Sequence, residues 1–265
     1  MPKFGDNDEF DAHKIPSSNY GYSAAKIDSL TATEYTLVTV VVDESGSTSG
    51  FRAGMESCVQ EIVKACRRSA RADNLMLRLV MFGTNMREVH GFKLLEHCNP
   101  GDYKNVCRSG GSTALFDSAE SAILATSAYA QQLTDNDFTV NALVVVITDG
   151  DDTEQKSTKA QVWKALESCV NSESMESLVS ILVGVNVTQA YIAAYLDSFA
   201  NDTQTQTDPA SGLVSTVKVP KFTQYVELDK ADEKTLARLA EFVSKSISSQ
   251  SQALGSGGAS KPLVF

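Results

Sequence analysis

With 265 residues, 42% of them hydrophobic, the chain can bury one substantial core, and its length falls between one large domain and two small ones. A formal net charge of -10 argues against a nucleic-acid or anionic-membrane surface, because neutralising phosphates takes clustered Lys and Arg, and the only basic cluster, Arg67-Arg68 with Arg71, reads as the solvated end of a helix. No apolar run approaches the roughly 20 residues that span a bilayer, and the opening "MPKFGDNDEFDAHK" lacks the apolar stretch of a signal peptide, so a soluble, cytoplasmic protein is expected.

Residues 1–30 are polar and aperiodic and read as an extended N-terminal arm, the alternative being a peptide that packs on the domain through Tyr20 and Tyr22. The domain proper is expected over residues 31–249. It begins with "YTLVTVVV", a β-branched run of the form taken by a strand covered on both faces. Met55, Val59, Ile62, Val63 and Cys66 then repeat at helical spacing. "LMLRLVMF" is a second strand, and "MREVHGFKLLE" alternates as a third, short one.

After a loop with Pro100 and Gly101, "GGSTALFDSAESAILATSAYAQQL" opens on glycines and continues as an Ala-rich helix. "NALVVVIT" is another buried strand, followed by a helix with Val162, Leu166, Cys169 and Val170 on one face, then the strand "LVSILVGV". A helix over residues 189–199 turns Ile192, Tyr195, Leu196 and Phe199 inward. Residues 200–221, rich in Thr, Gln and turn formers, read as an exposed insertion in the form of a short hairpin. "TQYVEL" is the last strand, and Leu236, Leu239, Ala240, Val243 and Ile247 mark a last amphipathic helix. Residues 250–265 read as a flexible Ser/Gly-rich tail.

Alternation of strands and helices predicts an α/β, doubly wound (Rossmann-like) fold. Its mostly parallel central sheet would hold about six strands, with one short antiparallel edge strand. In such a fold ligands bind beyond the carboxyl ends of the strands, where the strand order reverses. Asp43, Ser45 and Ser47 follow the first strand, Ser112 and Thr113 precede a helix, and Asp149 follows "NALVVVIT". If that strand and the first are central neighbours, these loops open on one crevice. The resulting oxygen set suits Mg²⁺, Mn²⁺ or Ca²⁺ rather than Zn²⁺ or copper. In an extended loop residues 43, 45 and 47 would point the same way, with Gly46 letting the chain bend and Gly110-Gly111 allowing a close backbone approach.

"DESGS", "GGSTALFD" and "TDG", in this order on successive βα loops, resemble the three parts of the metal-ion-dependent adhesion site of von Willebrand factor A domains, over residues 35–249. The resemblance implies an intracellular domain of prokaryotic or phage type. It also implies that Ser45, Ser47 and Thr113 contact the ion directly or nearly so, while Asp43 and Asp149 hold it largely through water. In that family a coordination position is left open for a carboxylate of the partner. The implied function is non-enzymatic, Mg²⁺-dependent binding of a protein that presents Asp, Glu or a C-terminal carboxylate, such as an AAA+ ATPase complex.

The competing readings are weaker. Each of the five residues alone could be a helix cap. A haloacid-dehalogenase-like hydrolase needs an acid two residues after its aspartate, where this chain has Ser45, and the phosphate-binding and hydrolase glycine motifs are absent. A third reading is self-assembly into a homo-oligomer through arm, insertion or tail, with the metal serving only stability. One version places the carboxylate of Phe265, at the end of "KPLVF", in a metal site. Asp151 and Asp152 read as favouring the next helix through its dipole, the alternative being that they extend the site, Asp117 as a first-turn carboxylate, His90 and His97 as surface or strand residues, and Trp163 as packing. Five scattered cysteines (Cys58, Cys66, Cys98, Cys107 and Cys169) without metal-type spacing are expected to be reduced and buried where they lie on helices.

Overall fold

Ten strands and five α-helices make up a computed structural model of the chain, described over residues 10–15, 20–207, 214–256, 263 and 265. In chain order they are β1 (Phe10–Lys14), β2 (Gly21–Ala25), β3 (Glu34–Asp43), α1 (Arg52–Arg67), β4 (Leu75–Phe82), β5 (Met86–Leu94), α2 (Leu115–Thr134), β6 (Thr139–Thr148), α3 (Lys159–Val170), β7 (Ser177–Gly184), α4 (Ala190–Ala200), β8 (Asn201–Thr207), β9 (Val214–Pro220), β10 (Gln224–Glu227) and α5 (Glu233–Ser256).

One sheet runs β1-β2-β5-β4-β3-β6-β7-β10, and β8 pairs separately with β9. β3 lies parallel to both β4 and β6, so the order reverses beside it and a crevice opens at the carboxyl ends of β3 and β6. Every residue of β3 from Tyr35 to Asp43 is buried. Val38, Val40 and Val42 pack with α1 and α5 on one face, while Val41 packs with α2 on the other. Each such side chain removed from water stabilises the fold by about 1.5–3 kcal/mol. A continuous β-branched run therefore has to be a central strand. Thr39 also faces α2, where its hydroxyl meets that of Thr126 at 2.8 Å.

The sheet has eight strands where about six were expected, because part of the expected arm belongs to it. β1 and β2 form an antiparallel pair, and β2 joins β5 in parallel through Ala24 and Phe92. Tyr22 is buried, stacked on His13 at 4.9 Å and edge-on to Phe92 and Tyr129. Residues 1–9 and 16–19 lie outside the described part. The short antiparallel edge strand that was expected is β1, which pairs with β2 at the end of the sheet, and β5 is also antiparallel, to β4, but is covered by β2.

The tail also begins later than expected. Residues 250–256 continue α5, and Gln250 is buried, donating to the Ala142 carbonyl and the Ser177 hydroxyl, both at 3.0 Å. Residues 257–262 lie outside the described part. The ring of Phe265 stands edge-on to Phe242 of α5 with the Arg238 guanidinium over it at 4.9 Å, rather than in the crevice. Residues 201–207 and 214–220 of the expected insertion form the β8–β9 pair, and residues 208–213 lie outside the described part. Among the described residues no helix is long and apolar enough to cross a membrane. All five cysteines are buried and free, the two outside helices included.

Candidate metal centre

β3 ends on Asp43, which is 1% exposed. Its Oδ1 accepts from the Ser45 N–H at 2.8 Å and its Oδ2 from the Thr148 hydroxyl at 2.7 Å. Burial pushes this carboxyl up to about 6, with the charge of Asp149 adding to the rise and hydrogen bonds from Ser45 and Thr148 opposing it. Burial raises Asp149 as well. Among the described residues neither carboxylate forms an ion pair with Lys, Arg or His.

The chain beyond Asp43 is not the extended loop expected. Ser45 is extended (φ -62, ψ 173), but a 3-10 turn begins at Gly46 and runs to Phe51. The turn nonetheless brings the Ser45 and Ser47 hydroxyls within 3.1 Å, and Ser47 donates to Asp149 Oδ1 at 2.8 Å. Four of the five foreseen residues are thus joined by direct hydrogen bonds.

Thr113 comes in through its backbone. Its N–H donates to the Thr153 hydroxyl and its carbonyl accepts the Thr153 N–H, both at 2.9 Å, which fastens it to the loop after β6. The same segment is tied to the first loop, since Gly46 N–H donates to Gly111 O at 3.1 Å and Gly110 N–H to Glu44 O at 3.0 Å. Gly110 and Gly111 are the glycines that need positive φ (149° and 85°), and a Cβ at Gly111 would meet the Thr84 side chain. Gly46 does not have a positive φ, so its contribution is the backbone contact rather than a special bend. Thr113 is buried, yet its hydroxyl has no hydrogen-bond partner among the described residues.

Two buried carboxylates that sequence reasoning passed over hold this assembly in register. Glu44 accepts from Arg87 Nη2 at 2.7 Å, from Arg87 Nε at 3.2 Å and from the Arg108 N–H at 2.6 Å. Glu56 on α1 accepts the N–H groups of Asn105 and Cys107 at 3.0 and 3.1 Å. The segment carrying Thr113 is therefore gripped from below by the residue next to Asp43 and by the first helix.

Asp152 serves neither the oxygen cluster nor the next helix. It caps α2, accepting the Phe116 N–H at 3.1 Å, and also accepts the Gln155 N–H at 2.7 Å. α3 instead has its own capping box of Thr158 and Gln161. Ser112 donates to Glu154, and Asp117, in the first turn of α2, accepts from Ser157 at 3.3 Å. His90 is on a strand but buried, bonded to Tyr103 and Gly91, while His97 is exposed beside Glu96. Trp163 packs, its indole N–H donating to Phe199 O at 2.8 Å.

Neutral hydroxyls, two carboxylates without a cationic partner and the unpartnered Thr113 hydroxyl are hard oxygen donors that fit a divalent cation of the Mg²⁺, Mn²⁺ or Ca²⁺ class. Among the described residues no group of three or more His, Cys, Asp and Glu could hold a metal ion, so the candidate set depends on its hydroxyls.

No family model and no curated protein matches the sequence. Solved structures do share its fold. The PilB minor pilin from Streptococcus sanguinis is 13% identical with a TM-score of 0.52, over 89% of this chain and 66% of that one. The pilus adhesin SpaC from Lactobacillus rhamnosus GG, in its open conformation, is 12% identical with a TM-score of 0.52, over 92% of this chain and 35% of that one. Proximal thread matrix protein 1 from the mussel byssus, solved with a zinc-occupied MIDAS motif, is 16% identical with a TM-score of 0.50, over 82% of this chain and 46% of that one. The chain spans less than two thirds of each, and likeness at such identities concerns the fold alone.

Proposed function

We propose that the protein is a von Willebrand factor A-type interaction module that uses a divalent cation, held by Asp43, Ser45, Ser47, Thr113 and Asp149, to bind a carboxylate of another protein. The carrying observation is the meeting of three loops at the β3–β6 crevice, with Ser47 bonded to both Ser45 and Asp149 and, among the described residues, no Lys, Arg or His paired with either aspartate. A zinc-occupied MIDAS motif in the mussel byssus protein of similar fold supports a metal in this position. The all-oxygen donor set favours Mg²⁺.

When bound, the cation supplies a positive centre for an incoming carboxylate. The chain's own part is to keep that centre electrophilic. Ser45, Ser47 and Thr113 contribute neutral oxygens, while both Asp43 oxygens are occupied by hydrogen bonds from Ser45 and Thr148. The same occupancy leaves Asp43 poorly suited to nucleophilic attack, and Ser45 stands where a hydrolase would need its acid. We therefore assign no catalytic role. Buried, free cysteines fit a reducing compartment, and we assign the module to the cell interior, where an AAA+ ATPase complex would be one acid-bearing partner.

The test is binding to a peptide library of Asp- and Glu-containing sequences and their amide counterparts. Capture of the acidic members in Mg²⁺, lost in EDTA and in Asp43→Ala/Ser45→Ala, supports the reading. Capture indifferent to metal and to the double variant overturns it.

A further inference from the structure

The β8–β9 hairpin has two unequal edges. Residues 203–206 and 214–218 are exposed, and β8 and β9 form a two-stranded sheet of their own. Such a ribbon is marginal in water unless further strands or a packed face support it. Its root is nevertheless held at a fixed place. Lys221 and Phe222 donate their N–H groups to Ala200 O at 2.9 and 3.1 Å, Lys218 pairs with Asp197 at 2.6 Å, and Phe222 is buried edge-on to Phe199.

In an antiparallel ladder, alternate residues turn their N–H and C=O groups outward. Thr203 N–H donates to the Asp202 carboxylate at 2.8 Å, so it lies outside the ladder. By alternation Thr205 and Thr207 are outward on β8, and their partners Thr216 and Val214, with Lys218, are outward on β9. The β9 edge therefore carries a lysine and ends in Pro220, two features that block strand addition. No residue from Thr203 to Thr207 on β8 is itself charged, and the Asp202 carboxylate caps only the first outward N–H of this edge.

We propose that β8 is a self-pairing edge, adding antiparallel to β8 of a second copy about a two-fold axis at Gln204. In that register Thr203, its N–H released from the Asp202 carboxylate, meets Thr205 of the second copy as a hydrogen-bonded pair, and Gln204 meets its own equivalent. Asp202 meets Gln206, so no like charges face one another. Thr–Thr and Gln–Gln neighbours are favourable cross-strand pairs. The result is a four-stranded sheet joining two domains, and it needs no metal.

Sedimentation velocity on the full chain in EDTA tests this. The expected result is a concentration-dependent dimer that is lost in Thr205→Pro, where the missing N–H is one the hairpin's own ladder does not use, and in Gln204→Glu, where the charge would face itself. On mild oxidation Gln204→Cys should cross-link two chains, and Gln206→Cys, facing Asp202 of the second copy, should do so far less. A wild-type chain of monomer mass at all concentrations, a dimer that persists in both variants, or equal cross-linking from positions 204 and 206 would overturn it.

Discussion

The Ser47 hydroxyl donates to Asp149 Oδ1 at 2.8 Å, bridging loops 102 residues apart in the chain. Behind it Thr148, the last residue of β6, donates to Asp43 Oδ2 at 2.7 Å, so each of the two central strands steadies the other's aspartate. In the proposed metal centre, a hydroxyl that orients a carboxylate around the ion tunes the site without touching the metal. Thr148→Val should lower divalent-cation affinity by about 10–100-fold, measured by calorimetry, with the far-UV spectrum unchanged.

Glu44 and Arg87 form the anchor beneath the Thr113 segment. Glu44→Gln keeps the shape but removes the charge, leaving a partly buried guanidinium unpaired. It should cost about 2–4 kcal/mol in urea unfolding, less than for a fully buried pair because Arg87 retains 24% exposure. Glu44→Gln/Arg87→Met should recover part of that loss, because it is the uncompensated charge that is expensive.

His90 makes stability depend on pH. Gly91 O can only accept, so Nδ1 carries the proton at 2.8 Å and Nε2 accepts from the Tyr103 hydroxyl at 2.9 Å, a pattern that requires neutral imidazole. Burial is the chief cause that lowers its pKa to about 4, with Lys93 and Arg78 acting in the same direction and the Gly91 hydrogen bond opposing. The unfolded chain takes up a proton below its ordinary value of 6.5 and the folded chain does not. The His90 contribution is therefore intact above pH 6.5 and falls as pH drops toward 4, by up to about 3 kcal/mol. Asp43, raised to about 6, acts in the opposite direction over this range, so the His90 slope is read as the difference between denaturant titrations of the wild type and of His90→Gln, which should narrow as pH drops from 6.5 toward 4.

Gly91 lies where β2 crosses β5, and a Cβ added there would collide with the Ser23 backbone. Because β2 joins β5 through a single residue pair, the sheet edge has little to absorb the strain. Gly91→Ala should cost about 1–3 kcal/mol. Amide exchange should speed up over residues 10–15 and 20–25 before the rest of the sheet.

What could be read in advance followed the strength of local patterning. "LMLRLVMF" matches β4 end to end, since eight successive buried positions admit only a strand covered on both faces. β1 and β2 escaped because "FDAHK" and "GYSAA" are short and half polar, and their burial comes from Tyr22 against Phe92 and Tyr129, contacts made only in three dimensions. Asp43, Ser45 and Ser47 were legible from spacing. Glu44, between two of them, was not, because its role depends on Arg87 43 residues away. Arg78 was likewise hidden inside an apolar run, where it pairs with Glu88 at 2.7 Å while its own side chain is fully buried.

The most direct test of the central claim is calorimetric titration of Mg²⁺ into the wild-type chain and into Thr113→Val, the wild-type Thr113 hydroxyl making no hydrogen bond among the described residues. The account predicts saturable one-to-one binding to the wild type and its loss in the variant at unchanged thermal stability of the metal-free protein. Equal binding by both chains, or no binding by the wild type, would contradict it.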